Sequence, residues 1–414
     1  MVCLAGLSIY VVRVVEVYRA QALAQHPSEQ PTSSSNLAPA VADLEHAIRL
    51  VPDDAEFPYL LGLRLSATDQ DDGAISNLRQ AVAVDPNNGR YWLDLASVYQ
   101  VTADTQKEQE ALRSALDSEP GNPIIAAEAA QFFLVAGDQD RAFPLFKQAL
   151  AQNPEAAQTI LPVCWREASD ANLLMAQAIP ANPELQLAFL RMLITQKETS
   201  AAQQAWRYIV AARKSFPPQL SFFYFDYLLK EHDVADFDRD WHELAGLVPE
   251  IQAYLPGDNL IVNAGFEQPL LNSGFDWRHE PADHVAAGLD DKVVHSGAHS
   301  LSLSYDGGPA YEAGWAQFVP VQPNLDYDFS AWVRSDNITS SSGPRIAIVD
   351  AFGDSSLLLT NDLLDTHPWQ ELKGTLHVPA GTQLLAVKII RAPANTRIRG
   401  RIWIDDLRLM KRVN

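Results

Sequence analysis

Small and apolar residues recur with a fixed period in the first part of the chain, and a proline closes each repeat. Four prolines follow one another at intervals of 34 residues: Pro52, Pro86, Pro120 and Pro154. The unit that begins at Gly89 contains Trp92, Leu95, Ala96, Tyr99, Leu112 and Ala115. A proline just past the end of a helix removes no helical hydrogen bond. The pattern therefore predicts one pair of helices per period, repeated in tandem.

The neighbouring units repeat this spacing, and by these residues the segment resembles a tetratricopeptide-repeat array. From Pro123 the matching positions are Ala126, Ala129, Ala130, Phe133, Gly137, Ala142, Phe146 and Ala149. From Ala55 they are Leu61, Gly62, Ala74, Leu78 and Ala81. Glu108 departs from the pattern, because it stands where a small residue is expected. The resemblance implies closely paired helices that bind a protein partner.

The period becomes irregular after the fourth proline. Pro154 and Pro183 are 29 residues apart, which indicates a shortened unit, whereas Pro183 and Pro217 are again 34 apart. The interval from Pro217 to Pro249 is 32 residues and contains a last, atypical helix pair. We predict an all-α, right-handed helical solenoid over residues 37–256, with its terminal units modified as caps.

From Asp258 the pattern changes to short alternating runs separated by Gly, Asn, Asp, Ser and Pro. The runs are residues 259–262, 300–305, 316–321, 327–333, 345–350, 370–378, 384–391 and 401–409. Alternation of this kind is typical of an antiparallel sandwich. The chain is therefore predicted to be multidomain, with the helical solenoid followed by an all-β jelly-roll sandwich over residues 258–412.

The run that begins at Tyr327 separates polar from apolar side chains. Phe329, Ala331 and Val333 form one face, whereas Trp332 and Arg334 share the other face with polar residues. A tryptophan among polar residues suits a carbohydrate platform, because sugar rings stack their CH faces on aromatic rings. Further candidates for sugar contacts are Trp315, Tyr311, Trp277 and Trp369. The alternative is that these rings fill the core or cover an edge of the sandwich.

Several phrases of the second domain resemble carbohydrate-binding modules of families four, nine and twenty-two. They are residues 259–267, Phe275-Asp276-Trp277, residues 295–301, residues 327–333 and residues 403–409, in this order. The resemblance covers residues 258–412 and implies the galactose-binding-like jelly roll and glycan binding. The phrases specify the fold, and none of them specifies a ligand.

The same resemblance implies one structural calcium ion that ties the first strand to the last. The matching positions are Glu267 in the opening phrase, with Asp405 or Asp406 in the closing phrase. A hard cation prefers carboxylate and carbonyl oxygens, and it would neutralise acids brought together at strand ends. The alternative is that Asp405 and Asp406 only cap a strand and face solvent.

The charge of the chain limits its partners. Among 414 residues there are 31 Lys and Arg against 52 Asp and Glu, a net charge of −21. Phosphate-backbone binding requires clusters of Lys and Arg, so the acidic repeats argue against nucleic acid as a partner. The two cysteines, Cys3 and Cys164, exclude a disulfide framework and show no metal-ligand spacing.

The first residues form an apolar run that is broken by Arg13. A spanning helix needs about twenty apolar residues, and this run is shorter. One interpretation is a membrane anchor over residues 1–22 whose true start lies upstream. The other is an amphipathic helix that caps the solenoid. A Pro- and Ser-rich linker over residues 23–36 favours the anchor, because such a tether separates a membrane helix from a domain.

No sequence motif for catalysis appears in the chain. There is no nucleophile elbow, phosphate loop or zinc signature, and we predict that the protein is not an enzyme. The sequence favours a membrane-anchored scaffold of the cell envelope whose bulk is periplasmic or extracellular. Its repeats would bind a protein, and its sandwich a glycan, in polysaccharide assembly, export or retention. The alternatives are a sugar-blind assembly scaffold and an accessory subunit of a glycan-degrading system.

Overall fold

The computed structural model describes residues 17–22, 37–353, 355–393 and 396–412. Most of the anchor predicted over residues 1–22, and the linker predicted over residues 23–36, lie outside the described residues. Among the described residues, no helix combines the length and apolarity needed to cross a membrane. The chain divides into two compact units, one ending at Met192 and one beginning at Leu193.

The first unit consists of paired helices. Residues 17–22 are helical (α1). The following helices are α2 (Leu37–Leu50), α3 (Glu56–Ser66), α4 (Asp71–Val84), α5 (Gly89–Val101), α6 (Thr105–Ser118), α7 (Pro123–Val135), α8 (Gln139–Gln152), α9 (Ala157–Ala168), α10 (Ala171–Gln177) and α11 (Pro183–Thr195). Helices α5 and α7 begin at Gly89 and Pro123, where the sequence predicts that two repeat units begin. The predicted register of the repeats is therefore confirmed.

Small residues lie where the paired helices meet. Ala96, Ala115, Ala130 and Ala149 are all at most 1% exposed. The start of α7 is capped by a side chain, since Asn122 accepts hydrogen bonds from the Ile124 and Ile125 amides. The exceptional Glu108 lies in the first turn of α6, where burial raises the pKa of its carboxyl group. The shortened unit also agrees with the sequence, because α10 has only seven residues.

The described residues of the second unit begin with the end of α11 and contain three further α-helices and two antiparallel sheets. The helices are α12 (Thr199–Ala211), α13 (Phe222–Lys230) and α14 (Val234–Leu247). The strands are β1 (Arg278–His279), β2 (Val285–Asp290), β3 (Ser300–Pro309), β4 (Glu312–Pro320), β5 (Asp326–Thr339), β6 (Pro344–Asp350), β7 (Ser356–Leu359), β8 (Asp365–His377), β9 (Leu384–Arg391) and β10 (Arg397–Lys411). One sheet has the order β1-β4-β9-β6-β7 and the other has the order β2-β3-β10-β5-β8. The predicted sandwich is confirmed.

Seven of the eight predicted runs lie in strands with at most one residue outside, and the exception is residues 259–262. The side chain of Asn259 explains this difference. Its Oδ1 accepts a hydrogen bond from the Leu409 amide, and its Nδ2 donates to the Leu407 carbonyl. The side-chain amide of Asn259 thus makes some of the hydrogen bonds to β10 that the backbone of a first strand would make. Strands β1, β2 and β7 were not predicted.

The last helix pair packs on the sandwich within the second unit. Phe275 lies edge-on to Phe237 of α14, with ring centroids 4.9 Å apart. A Cβ placed on Gly274 would lie 2.2 Å from the ring of Trp241, and the φ of this glycine is +60°. On α13, Asp226 accepts a hydrogen bond of 2.7 Å from the Arg278 guanidinium. The sandwich and helices α13 and α14 therefore share one packed interior.

Candidate functional site

The candidate site lies on the outer face of the sheet β2-β3-β10-β5-β8. Strand β5 alternates along its length, and Phe329, Ala331 and Val333 lie in the core between the sheets. Trp332 is partly exposed and Arg334 is exposed. Neighbouring side chains of a strand point to opposite faces, so both belong to the outer face. The predicted alternation of this strand is confirmed.

Aromatic rings from four parts of the chain form what we call the aromatic patch: Trp332 of β5, Trp369 of β8, Trp403 of β10 and His295. The His295 ring stacks on Trp332 with 4.0 Å between centroids and 14° between planes. Trp369 approaches the same imidazole edge-on at 5.6 Å. Trp332 and Trp369 are partly exposed, so the patch presents aromatic surface to solvent.

Trp403 links the patch to charged side chains. Its indole Nε1 donates a hydrogen bond of 2.8 Å to Asp290 Oδ2, and this bond contributes most to lowering the pKa of that carboxyl group. The guanidinium groups of Arg334 and Arg401 each lie 5.6 Å from the centre of the Trp403 ring. The indole itself is 5% exposed. Two cations are thus held over one buried ring at the edge of the patch.

The other aromatic candidates lie elsewhere. Trp277 and Trp315 are 1% and 3% exposed and pack against Phe266 in the core. Neither offers a ring face to a ligand at the surface, so we remove both from the set of candidate sugar contacts. Tyr311 is 69% exposed, in the turn between β3 and β4. Within the described residues, its ring makes no contact with the aromatic patch.

The three acids of the predicted calcium site come together. Asp405 Oδ1, Asp406 Oδ1 and Cγ of Glu267 all lie within 3.9 Å of the position that a Cβ would take on Gly265. Asp405 is fully buried, and burial is the main reason that its pKa is raised. Burial also opposes ionisation of Glu267, but hydrogen bonds from the His299 and Ala298 amides outweigh it and lower its pKa.

These carboxylates hold the segment that leads into β3. Asp405 Oδ2 accepts hydrogen bonds from the His295 and Ser296 amides, at 2.9 and 3.2 Å. Asp406 accepts from the Ser296 hydroxyl and contacts His295 Nδ1. Glu267 Oε1 accepts from two further amides of this segment. The acids therefore also fix His295 in its stack on Trp332.

The donor set suits a hard cation in its chemistry. Carboxylate oxygens are the ligands that calcium prefers, and Asp405 Oδ1 and Asp406 Oδ1, which each accept one hydrogen bond, keep a second lone pair. As these side chains are placed, however, the described residues contain no group of three or more His, Cys, Asp or Glu arranged to hold a metal ion. Calcium therefore stays a prediction, and the hydrogen bonds of the trio are the interactions that the structure shows.

Sequence reasoning missed His295 and Trp403 as parts of the site. His295 belongs to a turn, 37 residues before Trp332. Its imidazole reaches the Trp332 indole only because Asp405 and Asp406 hold this turn in place in the folded protein. Trp403 could have been found from the sequence. It lies between Ile402 and Ile404, which both point into the core, so its own side chain points outward.

Comparison with known proteins agrees with this architecture. Residues 258–393 match the family described as "Carbohydrate binding domain", which is about a third of the chain. No curated protein gives a significant match. The carbohydrate-binding-module resemblance of the second domain is confirmed by the family match. A carbohydrate-binding domain and tetratricopeptide-like helices fit a binding or scaffold role.

Three solved structures illustrate the likeness. A crystal structure of MamA is 22% identical, covers 34% of this chain and 81% of its own, and has a TM-score of 0.29. A structure titled "CBM4 structure and function" is 16% identical, covers 37% and 99%, and has a TM-score of 0.29. The CBM22-1 xylan-binding domain from Paenibacillus barcinonensis Xyn10C is 15% identical, covers 36% and 91%, and has a TM-score of 0.26. At these values the likenesses carry no argument about function.

Proposed function

We propose that the sandwich binds a carbohydrate across the aromatic patch, on the outer face of the sheet β2-β3-β10-β5-β8. The family match of residues 258–393 supports a carbohydrate as the ligand. The outward position of Trp332, held by the His295 stack, is the observation that carries this choice of face. Arg334 and Glu371 border the ring and suit hydrogen bonds to sugar hydroxyls.

The other sheet offers less for a sugar to stack on. Its outward residues Ala347 and Ala386 are at most 1% exposed, although they point away from the core. At its β1 edge, the Arg278 guanidinium lies 5.5 Å from the centre of the Phe318 ring and is paired with Asp226 of α13. Because these alanines are covered and the Phe318 ring is already in contact with a guanidinium, we favour the sheet β2-β3-β10-β5-β8 as the binding face.

Trp332→Ala tests the proposed site. The ring is on the surface of the sheet, so we expect the variant to keep the melting temperature of the wild type within a few degrees. Loss of the stacking surface should weaken polysaccharide binding about tenfold, which corresponds to roughly 1.4 kcal/mol. Affinity electrophoresis of the full chain in gels that contain xylan, mixed-linkage β-glucan, alginate or polygalacturonate measures the effect.

Tyr311→Ala provides the control for this experiment, because it removes an exposed aromatic ring outside the aromatic patch. We expect its retardation in every gel to equal that of the wild type. Equal binding by Trp332→Ala and the wild type would move the site elsewhere. Absence of retardation in all four gels would instead favour the sugar-blind scaffold.

The helical repeats are proposed to bind a protein partner, and their polar ladder supports this role. Tyr59 donates a hydrogen bond of 2.7 Å to Asp94, and Arg90 pairs with both Asp94 and Glu128. These residues lie on α3, α5 and α7, and positions 94 and 128 are one period of 34 apart. The ladder gives successive repeats a continuous polar surface. Pull-down with this chain, followed by identification of partners, tests the role, and capture of a hydrolase would favour the accessory subunit.

The cellular setting is also a proposal. The apolar run before residue 17 and the Pro- and Ser-rich segment after residue 22 support attachment to a membrane. We place the bulk of the chain in the periplasm or outside the cell, where polysaccharide would be assembled, exported or retained. The protein would act there without catalysis of its own. Fractionation of cells that express the protein tests this location.

Calcium binding by Glu267, Asp405 and Asp406 remains part of the proposal. An ion bound only by the folded state stabilises it by about 2.7 kcal/mol at a hundredfold excess over its dissociation constant. We expect chelator to lower the melting temperature of the second unit, and Glu267→Gln to abolish that difference. Melting curves that coincide with and without chelator, after metal-free preparation, would leave the hydrogen bonds as the only role of the trio.

A further inference from the structure

Positive charge is concentrated at the end of this acidic chain. Strand β10 and the residue after it contain six basic residues, all exposed: Arg397, Arg399, Arg401, Arg408, Lys411 and Arg412. The same segment contains two acids, Asp405 and Asp406, so its balance is six minus two, or +4. The whole chain has a net charge of −21. The segment is therefore locally opposite in sign to the protein that carries it.

The acids of this segment do not neutralise its cations. Asp405 and Asp406 accept hydrogen bonds from residues 295 and 296. On the neighbouring strands, Glu371 lies 2.7 Å from Lys373 Nζ, and Asp328 lies 4.0 Å from Arg412 Nε. Among the described residues, no carboxylate lies within 4.0 Å of the Arg334, Arg401 or Arg408 guanidinium. The charge of Arg401 helps to lower the pKa of Asp290, but none of these three arginines is held in an ion pair with a described residue, and all three are exposed to an anion in solvent.

A groove lies beside one of these arginines, Arg408. Its volume is about 690 Å³, and strands β5, β8 and β10 form its walls. The basic residues that line it are Lys373, Arg408, Lys411 and Arg412, against the two acids Asp328 and Glu371. Ser330 lies on its floor, and Trp332 is the next outward residue along β5, paired with Glu371. The groove is therefore continuous with the aromatic patch.

We infer that the carbohydrate of this site is an acidic polysaccharide, whose carboxylates pair with the arginines while a sugar ring stacks on Trp332. This inference rests on the carbohydrate site proposed above and names its ligand class. A guanidinium binds a carboxylate through two parallel hydrogen bonds, which gives both strength and direction. A neutral polysaccharide would leave Arg401 and Arg408 without a counterpart. The strongly acidic remainder of the chain repels every polyanion, so pairing with carboxylates is confined to this locally basic surface.

Polygalacturonate and its methyl ester test the inference, because they share one backbone and differ in charge. We expect the full chain to bind polygalacturonate or alginate at least tenfold more tightly than methyl-esterified polygalacturonate, xylan or β-glucan. Raising the salt concentration from about 50 mM to about 500 mM should remove most of this preference, since exposed charges are screened within a few ångströms at high salt. Isothermal titration calorimetry measures both effects.

The double variant Arg401→Gln/Arg408→Gln assigns the preference to this surface. It should bind the acidic polymers about tenfold more weakly and the methyl ester unchanged. Arg113→Gln, which removes an exposed arginine from α6, is the matched control and should bind as the wild type does. Circular dichroism melts establish that all three proteins fold.

Each other outcome overturns the inference in a distinguishable way. Equal binding of polygalacturonate and its methyl ester, or binding of neutral polymers alone, would leave the carbohydrate site standing and refute the acidic ligand. Binding of single-stranded DNA as tightly as polygalacturonate would refute a sugar as the preferred polyanion. Absence of binding to any of these polymers would refute the carbohydrate site, and the acidic ligand with it.

Discussion

Val333→Asp is expected to unfold the sandwich, because it places a carboxylate between the two sheets. Val333 is fully buried in the core. Removing the valine forfeits about 1.5–3 kcal/mol of apolar burial. A buried polar group without a hydrogen-bond partner costs about 1–3 kcal/mol more. The free energy of unfolding of the second unit should therefore fall by about 2.5–6 kcal/mol, a large part of the stability of a typical domain.

Arg334→Asp is the control, since it introduces the same side chain one residue further along β5 on the opposite face. Arg334 is exposed, and an exposed substitution usually changes stability by less than about 0.5 kcal/mol. Near-ultraviolet circular dichroism during urea unfolding measures both variants. Comparable losses from the two would show that residues 333 and 334 do not divide between core and surface.

Gly274→Val should destabilise the contact between the helices and the sandwich. The added Cβ would meet the Trp241 ring at 2.2 Å, and the φ of +60° at this position strains any residue that has a Cβ. Overpacking costs about 1–3 kcal/mol and the left-handed backbone about 1–2 kcal/mol. We expect a total loss of roughly 2–5 kcal/mol in the second unit, with a change in the tryptophan fluorescence as Trp241 is displaced.

Gly288→Val is the matched control for this substitution. Gly288 lies in β2, its φ is not positive, and a Cβ there meets no atom within 4 Å. Valine also has a higher strand propensity than glycine, so this variant should be at least as stable as the wild type. Chemical unfolding followed by fluorescence separates the two. An unchanged midpoint for Gly274→Val would mean that α14 does not pack on residues 274 and 275.

The sequence was most informative where a physical constraint repeats. Two helices can approach closely only where a small residue such as Ala115 or Ala149 recurs at each period, so the starts of the repeat units followed from spacing alone. In β5, burial of one face imposes a period of two on the side chains. Phe329, Ala331 and Val333 revealed that period, and it placed Trp332 on the outer face.

Side chains whose burial depends on distant partners could not be assigned in this way. Trp277 and Trp315 lie near polar residues in the sequence, yet Phe266 packs against both rings in the core. His295 reaches Trp332 because Asp405 and Asp406, more than a hundred residues later, hold its backbone and its imidazole. These contacts depend on the closed sandwich, and no local pattern encodes them.

The shared interior of the last helix pair and the sandwich has a mechanical consequence. For the sandwich to rotate about residues 248–257, Phe275 would have to leave the rings of Phe237 and Trp241. The Tyr254 hydroxyl would also have to give up its hydrogen bond of 2.6 Å to the Pro269 carbonyl. Tension on a ligand bound by the sandwich would therefore be transmitted to α14 through these packed aromatic rings. A flexible linker between the two would instead absorb it.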